Sequence, residues 1–472
     1  MPQDPIVAIE IAWMEPVEAA ARLRGLGHLV FLDSAMPHPV LGRTSYVAAD
    51  PFGRWLVEDG GVSWNGEALD ETPLASLARL LRDFAVEDRP GLPPLQGGAI
   101  GYFAYEFGRL LDAQPLAAMP SQGPVPDAAF GFYDVVCSFD HVDRRAWIVS
   151  TGHPERDPDR RADRARQRAS AMQVRLAAHV ETAPSRQPRI DRSAWRSSFT
   201  RESYGAAVER VIAAILNGDL FQANIAQCFS ADMPPGFDPW AFYRALRTRN
   251  PAPFAAYLED GSRAIASSSP ERFISLDAGQ VETRPIKGTA RRASDADEDR
   301  RRRETLLASI KDRAENLMIV DLMRNDLSRL CVPHSVKTPV LCGLETYAGV
   351  HHLVSVVTGT LRTGQGATDV IAATFPGGSI TGAPKIEAMR LIAEIEAQRR
   401  GLYCGSIAWF GFNGRLDSNI AIRTVTVQNG IAAFQAGGGI TALSRPAEEY
   451  GETLDKAARI FEAFADQDGA TA

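Results

Sequence analysis

The chain has 472 residues, 45% hydrophobic and 23% charged, a balance that suits a globular protein with a substantial core and excludes a disordered one. Lys plus Arg number 51 against 58 Asp plus Glu, a formal net charge of -7, which excludes a generally basic nucleic-acid binder. No apolar run approaches the roughly 18 residues that span a membrane, no secretory leader is expected at an N-terminus without Lys or Arg before Arg22, and five scattered cysteines without a CxxC pair fit a reducing, cytoplasmic location.

Residues 1–150 alternate short apolar runs with Gly and Pro turns. The runs at 28–32, 45–49 and 98–104 predict strands of an N-terminal β-rich region. Residues 151–194 form a different segment, with an Arg- and Asp-dense solvated helix and a Pro- and Ser-bearing linker at 181–189. The third region spans 195–466. A helix is expected over 201–217, closed by Gly218, and a long helical stretch over 295–330, broken once, with Leu317, Val320, Leu327 and Leu330 on its apolar stripe. A helix opens at Pro384, the β-branched run 420–427 predicts a strand, and a last helix covers 447–464. Strands and helices intersperse without a regular βαβ rhythm, so the class is α+β.

Several segments invite chemistry, and each has a plainer alternative. Lys287 ends a strand-like VETRPI before Gly288; alone it favours a surface lysine in a basic turn over a nucleophile. Residues 376–385, PGGSITGAPK, lead glycines and small hydroxyls into a helix start that favours an anion, or simply make a tight turn. Gly437, Gly438 and Gly439 allow close approach of a ligand, although a flexible hairpin turn is the simpler reading. Glu449, Glu452 and Lys456 share a helix face, and Glu315 lies on another helix; such carboxylates suit the hard Mg2+ ion or, more simply, a solvated face. Glu271 follows a Ser-Pro turn and becomes an acid/base if burial raises its pKa, or pairs with Arg272. His351-His352 is a candidate acid/base pair or a packed one, and 300–303 reads as a solvated basic face.

Taken together and in order, these stretches are not independent. GDLFQANIAQ (218–227), SSSPERF (267–273), RPIKGTARR (284–292), KDRAENLMIVDLMRNDLSR (311–329), GVHHLVS (349–355), PGGSITGAPK (376–385), YCGSIAWFG (403–411), NIAIRT (419–424), GGGI (437–440) and EYGETLDKA (449–457) resemble the chorismate-utilising enzymes. That family includes the anthranilate, aminodeoxychorismate, isochorismate and salicylate synthases. The resemblance implies a large two-sheet antiparallel β sandwich with helices on its outer faces and a deep cleft between the sheets. It implies Mg2+ on Glu315, Glu449 and Glu452, holding the ring carboxylate of chorismate close to Thr381, Gly382 and Lys456. Tyr403, Arg423 and the backbone N–H groups of Gly437, Gly438 and Gly439 would take the enolpyruvyl carboxylate. Lys287 would be the nucleophile and Glu271 the acid, with His352 near the ring.

Two positions discriminate within the family. Gln222 stands where the isochorismate and salicylate synthases resemble one another in carrying a lysine base for water, and it disfavours those activities. Lys287 stands where anthranilate synthases usually carry Ala. The resemblance therefore implies conversion of chorismate and ammonia to 4-amino-4-deoxychorismate, toward 4-aminobenzoate and folate. The alternatives are the anthranilate synthase reaction and a non-catalytic chorismate- or tryptophan-binding regulatory subunit. No Gly-x-Cys-x-Gly elbow occurs, so ammonia is expected from a separate glutamine amidotransferase subunit. A tryptophan pocket is implied at Ser34, Arg43 and Thr44 with Pro253, Phe254 and Ala255.

Overall fold

The computed structural model describes residues 6–36, 38, 41–111, 125–178, 188–347 and 349–465. Most of the linker expected at 181–189 lies outside the described residues.

Two 12-stranded sheets make up the scaffold. The first runs from Val7–Ile11 through Arg145–Ser150, Val135–Asp140, Thr44–Ala48 and Val30–Asp33. It continues into Phe254–Glu259, Arg263–Ser269, Thr424–Gln428, Ile431–Ile440 and Gln222–Asp232. The second runs from Ile286–Arg291 through Val350–Thr360, Gln280–Thr283, Arg272–Asp277, Leu416–Asn419 and Ser406–Gly411. It continues into Gly98–Phe103, Ala128–Tyr133 and Gly53–Glu58. Both seams between early and late chain are antiparallel, Val30 opposite Leu258 in one sheet and Phe103 opposite Ser406 in the other. Each sheet therefore draws strands from both the β-rich N-terminal region and the region after residue 195.

Side-chain alternation along the strands sorts the core into layers, because successive residues of a strand face opposite sides. Val30, Tyr46 and Ile265 of the first sheet meet Ile100, Tyr102 and Trp409 of the second in the space between the sheets. Their neighbours Phe31, Val47 and Ala266 turn the other way, under helices that include Pro16–Leu23 and Pro446–Ala465. Phe103, Phe130 and Phe410 pack outside the second sheet against Ile310–Ser328 and Ala367–Thr374.

The helical stretch breaks at Ser309, which ends Ala296–Ala308 and caps Ile310–Ser328 by accepting from Asp312 N. Leu317 leaves the expected stripe: it is 48% exposed, and the buried face is carried by Asn316, Val320, Met323 and Leu327. The face is rotated because the helix tilts Asn316 and Val320, rather than Leu317, onto the sheet. The helix expected to open at Pro384 begins one residue later, as Lys385–Glu396, with an extended Pro384 before it.

Candidate functional site

The chain passes from one sheet to the other twice at one place. Arg263–Ser269 leaves the first sheet and Arg272–Asp277 enters the second, with Ser269, Pro270 and Glu271 at the crossing. Leu416–Asn419 leaves the second sheet and Thr424–Gln428 enters the first. The two crossings are tied together: Ile420 N donates to Glu271 O at 3.0 Å, and Ser269 Oγ donates to Ile420 O at 2.6 Å. This explains why the strand expected over 420–427 starts only at Thr424. Residues 420–423 form the crossing, and Arg423 turns it in the left-handed region at φ 51.

Glu271 and Arg423 are thus delivered to the same spot by topology. Glu271 is 6% exposed. Burial pushes its carboxyl up to about 7, against the attraction of Lys287 and Arg423 and hydrogen bonds from Ile286 N and Ser379. It does not pair with Arg272, which instead holds Asp417 at 2.8 Å and Glu282 at 3.2 Å. The Arg423 guanidinium has no hydrogen-bond partner among the described residues, and its charge acts on Glu271 and His352. An unpaired, desolvated arginine at a cleft is a ready fork for a carboxylate.

Lys287 comes from the edge strand Ile286–Arg291 of the second sheet. The ladder shifts register between Lys287 and Thr289, at Gly288 with φ 79. A Cβ there would stand 3.0 Å from Asp312 and Leu306, so only glycine permits the bulge that aims the lysine. Lys287 Nζ donates to Ser379 O at 3.2 Å, and its charge reaches Glu271, Glu315 and Glu452. His352 lies opposite Thr289 in the ladder, with its Nδ1 2.8 Å from Thr289 Oγ1. Burial and Arg423 hold His352 down at about 4, so it is neutral at pH 7. Its neighbour His351 points to the other face, to Asp299 at 3.1 Å.

The carboxylates come from two helices: Glu315 on Ile310–Ser328, and Glu449 and Glu452 on Pro446–Ala465. A Cβ on Gly438 would lie 3.2 Å from Glu449 Oε2 and 3.5 Å from Glu452 Oε1, so glycine opens the floor beneath both. Lys311, which the sequence reading passed over, stands between the helices, 3.7 Å from Glu449 and 4.0 Å from Glu315. Its spacing of four from Glu315 was the available signal. Lys456 holds Glu452 at 2.6 Å and donates to Gly437 O at 2.8 Å. Among the described residues, no three acidic or imidazole groups stand as a closed metal cage. The Glu449–Glu452 pair over Gly438 still has the oxygen donors that would suit a hard cation keeping several waters.

Gly437, Gly438 and Gly439 do not form a hairpin turn. They lie within the strand Ile431–Ile440, paired with Ala226, Ile225 and Asn224. A Cβ at Gly437 would stand 2.3 Å from Ile225 O, and one at Gly439 would stand 2.4 Å from Gln222 Nε2. On the other edge, pairing to Thr424–Gln428 stops at Phe434, so the glycine backbone beyond it faces the cleft beside Arg423. Gln222 is fully buried, and both of its amide atoms lack a partner.

Thr381 and Gly382 sit in a buried turn, where Thr381 Oγ1 donates to Gly377 O at 3.0 Å. Behind them, buried Arg400 donates to Ile380 O at 3.3 Å, Asn224 O at 2.7 Å and Glu396 at 2.6 Å. Its guanidinium lies over the Tyr403 ring at 5.6 Å, which makes Tyr403 a neighbour of this brace.

The expected tryptophan pocket is a small cavity of about 70 Å³ between the sheets, lined by Ser34, Thr44, Pro253, Phe254 and Ala255. Arg43 is not part of it. Its guanidinium turns outward to Asp140 at 2.7 Å and Asp143 at 2.8 Å, because its neighbour Thr44 takes the inward side.

The model of the chorismate binding enzyme family matches residues 44–462. Aminodeoxychorismate synthase component 1 of Salmonella typhimurium is 45% identical over 367 residues, 78% of this chain and 76% of that protein. Anthranilate synthase component 1 of Mycobacterium tuberculosis is 38% identical over 451 residues, 92% of this chain and 87% of that one. In three dimensions, anthranilate synthase component I from Streptococcus pneumoniae superposes with a TM-score of 0.77 at 30% identity, covering 90% of this chain and 94% of that one. With the two-sheet sandwich, the paired crossings and the sequence match all in agreement, the chain belongs to the chorismate binding enzyme family.

Proposed function

We propose that the chain converts chorismate and ammonia to 4-amino-4-deoxychorismate. The observation that carries this reading is Lys287, aimed by the Gly288 bulge into the cleft beside the buried acid Glu271. A lysine there supports amination over the anthranilate route. The relatives named aminodeoxychorismate synthase component 1 support the same choice.

The substrate is a dianion, so the site must supply cations and aligned N–H donors. In this reading Arg423 and the free backbone edge at Gly437, Gly438 and Gly439 take the enolpyruvyl carboxylate, with Tyr403 closing that end. The ring carboxylate is directed to the Glu315, Glu449 and Glu452 side, near Thr381, Gly382 and Lys456. Glu449 and Glu452, with Glu315, would hold Mg2+. A bound Mg2+ would neutralise the ring carboxylate. Lys456 and Lys311 keep the carboxylates from repelling one another when the cation is absent.

Lys287 then gives up its ammonium proton to solvent and attacks ring C2 through the nitrogen lone pair so released. The two ring double bonds migrate, the C4–O bond breaks, and Glu271 supplies the proton with which hydroxide leaves as water. Ammonia adds at C4, the double bonds return, and the C2–N bond to Lys287 breaks. Splitting one difficult substitution into two easier ones is the gain of covalent catalysis. Neutral His352 packs near the ring and contributes no charge. The designation component 1 among the relatives supports a separate subunit; in this reading it is a glutamine amidotransferase that delivers ammonia. The 70 Å³ cavity at Ser34 has room for only a few waters, so tryptophan would enter only after the cavity widens.

Incubation with chorismate, Mg2+ and ammonium, followed by mass analysis, tests the proposal. A product retaining the pyruvate carbons supports it. Fluorescent anthranilate in its place overturns it in favour of the alternative reaction.

A further inference from the structure

A second cavity lies away from the cleft, at one end of the space between the sheets. It measures about 440 Å³, within the ~300–1,000 Å³ typical of small-molecule sites. Its walls are largely apolar and come from both sheets, with Ile100, Tyr102 and Ala129 on one side and Val30, Leu258 and Ile265 on the other. Its mouth carries the polar groups His28, Arg54, Asn65 and Asp260, with Arg54 on the strand Gly53–Glu58.

The charges at this mouth are unbalanced. Asp260 is occupied, accepting from Ser262 N and Arg263 N and pairing with Arg263 Nη1 at 3.1 Å. Glu259 is occupied by Arg24 at 2.8 Å and by Tyr257 Oη. The Arg54 guanidinium has no partner among the described residues, and neither does the His28 ring. The His28 carbonyl, in contrast, is fixed by Tyr133 Oη at 2.8 Å. Burial and the neighbouring Arg54 hold His28 below its usual range, so the positive charge at the mouth is that of Arg54. An apolar slot beneath a free guanidinium is complementary to a flat apolar body with an anionic end.

We propose that this cavity is a second small-molecule site, separate from the cleft, which takes a ring-bearing carboxylic acid with its ring between the sheets and its carboxylate on Arg54. The site draws on no group placed in the cleft. It therefore stands or falls independently of the proposed reaction.

The test is calorimetric titration of the full chain with 2-naphthoate and with its uncharged analogue 2-naphthamide. The naphthoate is expected to bind at least about tenfold more tightly than the amide. Arg54→Glu, on an exposed side chain without a partner, should cost at least about tenfold in naphthoate affinity, and Ser63→Trp, which fills the slot, should abolish binding. Arg423→Ala controls for carboxylate binding in the cleft and should leave the affinity unchanged. Absence of binding up to about 5 mM would overturn the proposal. So would equal affinity for acid and amide, or affinity that is lost with Arg423→Ala and kept in both cavity variants.

Discussion

Glu271→Gln isolates the proton that leaves with the C4 oxygen. The amide keeps the shape of the side chain and its hydrogen bond from Ile286 N, so substrate binding and folding should change little. What it removes is an acid that burial has pushed up to about 7. Such positioned acids contribute about 10²- to 10⁴-fold, or about 3–5 kcal/mol of barrier. The pH profile gives a sharper signature. The pKa is raised, so the acid form is present below about 7 and is lost as pH rises through it. A group at about 7 is about nine-tenths protonated at pH 6 and about one-hundredth protonated at pH 9. Its limb in kcat/KM should therefore fall about 90-fold over that range. A bound dianion disfavours the carboxylate further, so the limb in kcat should sit at higher pH. Steady-state turnover from pH 6 to 9, with product followed by mass, measures both. A variant that keeps kcat within about threefold, or that keeps the alkaline limb near 7, would refute the acid role of Glu271.

Lys287→Ala should reduce aminodeoxychorismate formation by at least about 10²-fold, and unchanged product in the same mass assay would remove the covalent step. Gly438→Ala places a methyl 3.2 Å from Glu449 Oε2 at a backbone position that alanine adopts freely. It should raise the Mg2+ concentration for half-maximal activity by about tenfold, that is about 1.4 kcal/mol, while the unfolding midpoint stays unchanged. Arg400→Met leaves Glu396 buried and unpaired and frees the carbonyls of Ile380 and Asn224. It should cost about 3–5 kcal/mol in urea unfolding, and a loss below about 1 kcal/mol would contradict the bracing role.

The site motifs stood out through their joint order and the family resemblance it carries, since most of them alone admitted a plainer reading. A lysine before a bulge glycine, acids three apart on a helix, and a carboxylate after Ser-Pro each keep their neighbours in sequence. The α+β class and the existence of Arg201–Leu216 and Pro446–Ala465 followed from periodicity and capping in the same way. Periodicity misjudged features whose partners are remote. The stripe through Leu317 was rotated by packing against a sheet that the helix does not itself contain. The three glycines resemble a turn in sequence, but a close-packed neighbouring strand makes them part of a ladder. The family resemblance placed Arg43 in a pocket, and Asp140 and Asp143, about a hundred residues further along the chain, draw its side chain away from it.

By itself, then, the sequence determined which chemical groups are present and the local turns that present them. Tertiary structure alone decided which groups meet and in what dielectric. Glu271 and Arg423 lie far apart in the chain and meet because two strands cross between sheets at one point. Their burial there raises the acid of Glu271 and leaves the guanidinium of Arg423 unpaired. The cavity under Arg54 likewise exists only because strands of both sheets line it together. No run of neighbouring residues encodes that gap, because it is bounded by strands that are contiguous only after folding.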